Sequence, residues 1–206
     1  MSGQKNAFVA TGAGILTGVF SIPILKNVFD HLQFFELFAV PIIFGVVTLA
    51  IYGLFYKLRR VWTFGPRIGK FIIVGGLNTV IDLLVLNLLI STFGIAVGAL
   101  YGIFKGISFI VASTNSYVWN KWWTFEYTEP PSAREYARFF IFTAIGAIVN
   151  ISVALLFVRL FTSSYSNSVL LANIGALIAT LASLVWNFIS YYLVVFRTRE
   201  KSHVQS

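Results

Sequence analysis

The sequence predicts an all-α polytopic membrane helix bundle, with six transmembrane helices in parallel two-helix repeats. Three observations predict it. Of 206 residues, 58% are hydrophobic and 11% charged, with a mean hydropathy of +0.84. A soluble domain carries about 25% charged residues, so this chain lacks the polar surface to coat a core and needs lipid as its solvent. Apolar stretches long enough to cross a hydrocarbon core of about 30 Å recur six times along it. Lys and Arg, finally, gather in alternate loops, as in a chain that threads a membrane repeatedly.

The first stretch, Ala7–Leu25, carries Gly12, Gly14, Gly18 and Pro23 and is the least regular helix. Lys5 ahead of an apolar run resembles a signal peptide, but no clear small-x-small cleavage site follows, so the segment is expected to be retained. Leu37–Tyr56, Phe71–Ile90 and Ile95–Val118 follow. The fourth stretch carries Gly94, Gly98, Gly102 and Gly106 at four-residue spacing, a small-xxx-small stripe that lets helices pack closely within or between chains and so allows a homo-oligomer. Phe139–Phe161 is the fifth. Val169–Phe196 is the sixth; it is long enough to tilt or to run past the bilayer, and Ala172, Gly175, Ala176, Ala179, Ala182 and Ser183 line one face of it. The loop 119–138 is broken by Pro130-Pro131 and is too short for a domain, and Ser132–Arg138 reads as an amphipathic segment on the inner surface.

The Lys/Arg distribution orients the chain. The N-terminus, 57–70, 119–138 and the tail hold 12 of the 15 basic residues, while 26–36, 91–94 and 162–168 hold only Lys26. Lys105 and Arg159 fall within spans. The expected protein is therefore a multi-pass protein of the inner (plasma) membrane with both termini cytoplasmic. The net charge of +8 follows the alternate loops, so it records topology and not a nucleic-acid partner. Trp62, Trp119, Trp122, Trp123, Tyr56 and Tyr127 cluster at the same inner ends and suit a headgroup belt, though a Trp cluster can also stack on sugars.

Several chemistries are excluded. With no Cys and only His31 and His203, the chain has no thiolate site, disulfide or His cluster for a metal or a triad. It has no paired-carboxylate motif and no phosphate-binding Gly loop, and Gly12-x-Gly14 lies inside an apolar span. The expected protein is not an enzyme, has no cofactor and holds no metal.

The chain repeats itself. Lys70-Phe71-Ile72-Ile73-Val74-Gly75-Gly76 opens one helical pair, and Arg138-Phe139-Phe140-Ile141-Phe142-Thr143-Ala144 opens another 68 residues on. Asn115 through Phe125 closes the first and Asn187 through Phe196 the second. Two parts result: an N-terminal helix pair (1–60) and a four-helix domain (61–206) with repeats at about 67–127 and 135–197. A weaker echo, Phe8 to Gly12 with Trp62-Thr63-Phe64, makes the N-terminal pair either a diverged third copy or a chance match. Units of two spans enter the membrane the same way up, which places a shared site near their axis.

A few residues resist the lipid explanation. Asp82 and Lys105 lie deep in adjacent antiparallel spans, where each charge costs about 2.5–3.5 kcal/mol. At similar heights they can pair, either to fix how two helices pack or as a polar site where Lys105 receives an anion. Asn78, Asn87, Asn150 and Asn173 add amides at membrane depth, and the 68-residue offset relates Asp82 to Asn150 and Lys105 to Asn173. Arg159, near the outer end of the fifth span, either snorkels to the surface or meets an outward-facing phosphate.

Gly69 through Asp82, Lys105-Gly106-Ile107-Ser108-Phe109, Asn115 through Phe125 and Asn187-Phe188 together resemble the GtrA-like membrane proteins over about 67–197. The resemblance implies a membrane protein of cell-surface polysaccharide or glycolipid assembly that flips polyprenyl-phosphate-linked sugar to the outer leaflet. The alternative it implies is a non-catalytic anchor or partner of a glycosyltransferase. A small-molecule exporter of the four-helix drug-transporter type, with Asp82 coupling protons, is a further reading. In the first, Lys105 supplies a cation for the lipid phosphate. Asn78, Asp82, Asn150 and Asn173 supply a polar lining, and Arg159 an outer contact.

Overall fold

Six helices run along the chain in a computed structural model that describes residues 3–28, 34–95, 97–161 and 168–197. They are α1 (Gly3–Val28), α2 (Phe34–Lys57), α3 (Gly65–Phe93), α4 (Gly98–Trp119), α5 (Ala133–Phe161) and α6 (Ser168–Ser190). Five helical segments are long and apolar enough to cross a membrane: Gly3–Lys26, Leu37–Arg60, Gly65–Phe93, Ala133–Phe161 and Ile174–Val195. α4 has the length, at 22 residues, but Lys105, Asn115, its glycines and its serines make it less apolar than the others. The chain is a multi-pass membrane protein.

The helix boundaries follow local chemistry. Pro66 sits in the first turn of α3, where a missing N–H costs nothing. α3 ends at Gly94, whose φ of 71° is the left-handed conformation that glycine adopts without strain. Gly98, at φ 79°, opens α4. The four-glycine stripe expected on one helix is therefore divided, because Gly94 caps α3 and only Gly98, Gly102 and Gly106 belong to α4. A side chain at any of the four would meet nothing within 4 Å among the described residues. The expected surface segment Ser132–Arg138 is instead the start of α5. Ser132 Oγ accepts the Glu135 N–H at 3.2 Å, one half of the capping box that an S-x-x-E sequence forms.

Compactness divides the chain at Glu126/Tyr127. In the first unit, α1 and α2 pack on each other and both pack on α3, which pairs with α4. Its core joins Ala10, Ala13, Tyr52, Ile73, Val74 and Trp123, so the N-terminal pair shares a core with the first repeat. The glycines that bring helices close lie here: a methyl on Gly14 or Gly18 of α1 would overlap the backbone of Phe44 or Pro41 of α2. The second unit is the α5–α6 hairpin. Phe139, fully buried, stacks on Tyr191 at 4.3 Å between ring centroids, and the Tyr191 and Thr143 hydroxyls lie 2.6 Å apart.

The repeat is a structural one. α4 and α6 both widen into a five-residue π turn, Asn120–Thr124 and Tyr191–Val195, and the next residue in each, Phe125 or Phe196, donates its N–H to the first carbonyl of the turn. The same Phe packs on the Phe that opens the repeat, Phe71 with Phe125 at 6.5 Å and Phe139 with Phe196 at 6.0 Å. The third echo is not of this kind. Phe8 is 82% exposed where Phe71 and Phe139 are buried, and α2 ends by tightening into a 3-10 turn, Leu58–Arg60, rather than widening.

These π turns also correct a correspondence. They lie 71 residues apart, not 68, because the α5–α6 connection is two residues longer than the α3–α4 connection and α6 is one residue longer than α4. In the second helix of each hairpin the counterpart of Lys105 is therefore Ala176, and Asn173 is not equivalent to Lys105.

Candidate functional site

Asn78 and Asp82 stand four residues apart on α3, and hence on one face about one turn apart. On α4, Lys105, Ser108 and Asn115 follow a three- and seven-residue spacing that also selects one face. The two faces meet. Lys105 Nζ donates to Asp82 Oδ2, and Ser108 Oγ donates to Asp82 Oδ1 at 2.6 Å. Two turns toward the other end, Asn115 Nδ2 donates to Asn78 Oδ1 at 2.6 Å. The α3–α4 seam is thus a polar ladder inside an apolar hairpin.

The ladder is unevenly covered. Ser108 is fully buried, the Asp82 side chain is 21% exposed and the Lys105 side chain 44% exposed. Both carboxylate oxygens of Asp82 are satisfied, so the anion is fixed in place. Lys105 has three donors and a partly open ammonium, so it can keep one bond to Asp82 and offer another to an anion.

The other expected residues are placed as follows. Asn150 Nδ2 lies 3.5 Å from Ser183 Oγ across the α5–α6 hairpin, a long contact. Asn187 approaches the same hairpin where Gly146 leaves room for it, and its Oδ1 is buried with no hydrogen-bond partner among the described residues. Arg159 is exposed three residues from the end of α5. The Asn173 side chain lies outside the described residues. Asn87 donates to Leu83 C=O of its own helix at 2.8 Å and joins no cluster.

Sequence reasoning missed a second cluster, at the start of α3. Lys70, 3% exposed, donates to Trp123 C=O at 3.0 Å and to Glu126 Oε1 at 2.7 Å. Trp123 Nε1 in turn donates to Asn6 Oδ1 at 3.0 Å, which ties α1 to the end of α4. Glu126 adopts φ 51°, a left-handed conformation that a non-glycine residue takes only when its surroundings hold it. Burial raises the Glu126 carboxyl pKa, but the hydrogen bond and charge of Lys70 outweigh that, and it lies below the ordinary carboxylate value. Lys121 is also fully buried, 5.8 Å from the centre of the Tyr117 ring. Lys70 and Lys121 are thus internal cations rather than loop charges that only mark topology. The Trp belt is corrected in the same way: Trp62 and Trp122 are each 53% exposed, but Trp123 is core.

The comparisons agree with this architecture. The family described as GtrA/DPMS, transmembrane domain, matches residues 70–196, from the buried Lys70 to the Phe that closes the second π turn. No curated protein and no solved structure matches the chain.

Proposed function

Because the chain belongs to the GtrA/DPMS transmembrane-domain family, we propose that it carries a polyprenyl-phosphate-linked sugar across the inner membrane for cell-surface polysaccharide or glycolipid synthesis, without covalent chemistry. The observation that carries this reading is the Lys105–Asp82–Ser108 cluster, whose lysine side chain is part-exposed about two turns into α4. A lipid phosphate meets its steepest barrier in hydrocarbon, where an unpaired charge is most costly. Lys105 supplies a counterion at that depth. Asp82 holds the ammonium while the site is empty and receives it again after the phosphate leaves. Ser108 keeps the carboxylate from following the lipid.

The test is transbilayer movement of a fluorescent polyprenyl-phosphate sugar in liposomes containing the purified protein. The wild type accelerates movement over empty liposomes, and Lys105→Ala slows it about tenfold or more, the worth of one charge-assisted hydrogen bond of about 1.5–3 kcal/mol. No acceleration, or an unaffected Lys105→Ala protein, overturns the reading.

A second reading, a membrane partner of a glycosyltransferase, is favoured by the exposure of Trp62, Trp122 and Val61, the last 91% exposed, around the start of α3 and the end of α4. It requires co-purification of a transferase that Trp122→Ala and Trp62→Ala abolish while Lys105→Ala does not.

A further inference from the structure

Helices α1 and α2 touch backbone to backbone over only part of their length. Gly14 and Gly18 bring α1 against Phe44 and Pro41. Each helix also has an internal proline in this region, Pro23 in α1 and Pro41 in α2, whose missing N–H leaves a carbonyl of the preceding turn without its helical partner. Beyond the Gly18 contact the two helices leave a wedge between them. The wedge is a cavity of about 280 Å³ lined by Val19, Ile22, Lys26, Leu37, Phe38 and Pro41. Val19 and Phe38 are 44% and 60% exposed, so it opens onto the surface of its unit.

Five of the six lining residues are apolar. Water entering such a space would find too few polar partners, whereas a hydrocarbon chain would fill it. The sixth is Lys26, in the last turn of α1 and the only Lys or Arg in 26–36. Its positions relative to Val19 and Ile22 place all three on one helix face, with Lys26 one turn beyond Ile22. Along α1, Lys26 lies about 30 Å from Asn6, one hydrocarbon thickness from the Lys70–Trp123 end of the unit. An ammonium at that height lies at the level of lipid headgroups in the leaflet opposite Lys70.

We propose that this wedge is a binding site for an anionic glycerophospholipid, one acyl chain lying between α1 and α2 and the headgroup phosphate on Lys26. The site lies wholly outside the matched segment 70–196 and is independent of transport at Lys105. It gives the N-terminal helix pair a role of its own, as a lipid-bound buttress for α3.

The test is native mass spectrometry of the purified full chain in non-ionic detergent, titrated with phosphatidylglycerol and, separately, with phosphatidylcholine. The expected result is one phosphatidylglycerol retained at least tenfold more tightly than phosphatidylcholine. Lys26→Ala removes that preference and Lys26→Arg restores it. Val19→Trp, which fills the wedge and leaves the charge, removes retention of both lipids. Lys105→Ala leaves binding unchanged, so failure here and failure of transport are separate results. Equal retention by wild type and Lys26→Ala, or by wild type and a Val19→Trp protein with an unaltered thermal midpoint, overturns the proposal.

Discussion

Lys70 shows how differently two cations of similar sequence context can be used. Both it and Arg138 precede a Phe at the start of a repeat, yet Lys70 is buried under Trp123 and Glu126 while Arg138 is exposed. Lys70→Ala strands the Trp123 carbonyl and removes the hold on a left-handed Glu126, a loss of about 2 kcal/mol for a hydrogen-bonded charged group. Lys70→Met, which keeps the apolar stem and leaves Glu126 free to hydrate, costs less; thermal unfolding in detergent ranks the two. Glu126 adds a pH dependence whose sign follows from its lowered folded-state pKa. Its contribution is complete above the ordinary value of 4.5 and is lost as pH falls through the lower folded value. The thermal midpoint of the wild type therefore falls more steeply below pH 4.5 than that of Glu126→Gln, and parallel curves would show that the pair contributes nothing. Asp82 and Lys105 were legible in the sequence because a charge inside an apolar run is conspicuous against its neighbours. Lys70, Asn6 and Glu126 were not, because each lies at a span end, where polar residues are ordinary and only three-dimensional contact distinguishes an internal cation.

Among the elements, helix length and type were legible because lipid demands about 20 apolar residues per crossing. What composition hides is how a helix ends and what it packs against. Four glycines at even spacing in and beside α4 suggested a close seam, but two of them are bent into the turn and all four face open space. The glycines that bring α1 against the backbone of α2 are Gly14 and Gly18, in the helix that looked least regular in sequence. The backbone of Pro41 cannot yield as a side-chain tip can, so Gly18→Ala destabilises the protein by about 1–3 kcal/mol. Gly12, two turns away with nothing within 4 Å, provides the control. Gly12→Ala is neutral or stabilising by up to about 1 kcal/mol, since alanine loses less backbone entropy in a helix. Equal effects on the thermal midpoint would mean that α1 and α2 do not touch at Gly18. The π turns were likewise invisible, since no residue type marks them. They mark the shift in register that removes Asn173 from equivalence with Lys105.

For the molecule as a threaded chain, the decisive question is whether α4 crosses the bilayer, since among the six described helices it alone lacks an apolar run long enough for a span. Alone it would insert poorly, because Lys105 costs about 2.5–3.5 kcal/mol at the bilayer centre. It does not insert alone, however. Its Lys105 is bonded to Asp82 of α3, and pairing lowers the cost for both charges. The ends of the hairpin give a stronger reason. Lys70, in the first turns of α3, bonds the carbonyl of Trp123, just beyond the end of α4. Whatever distance α3 travels, α4 must return, and at about 1.5 Å per residue its 22 residues suffice for a core of about 30 Å. The residues before α3 and after α4 are therefore expected on one side, which the Lys/Arg distribution predicts to be the cytoplasm. A chain without cysteine allows this to be tested cleanly, because any cysteine introduced is the only thiol. Thr63→Cys and Glu129→Cys flank the α3–α4 hairpin at exposed positions, and Lys26→Cys is exposed at the far end of α1. A membrane-impermeant maleimide applied to intact cells should label Lys26→Cys alone, and all three after permeabilisation. Labelling of Glu129→Cys but not Thr63→Cys in intact cells would mean that α4 does not cross. Labelling of both, with Lys26→Cys protected, would invert the orientation while leaving the hairpin intact.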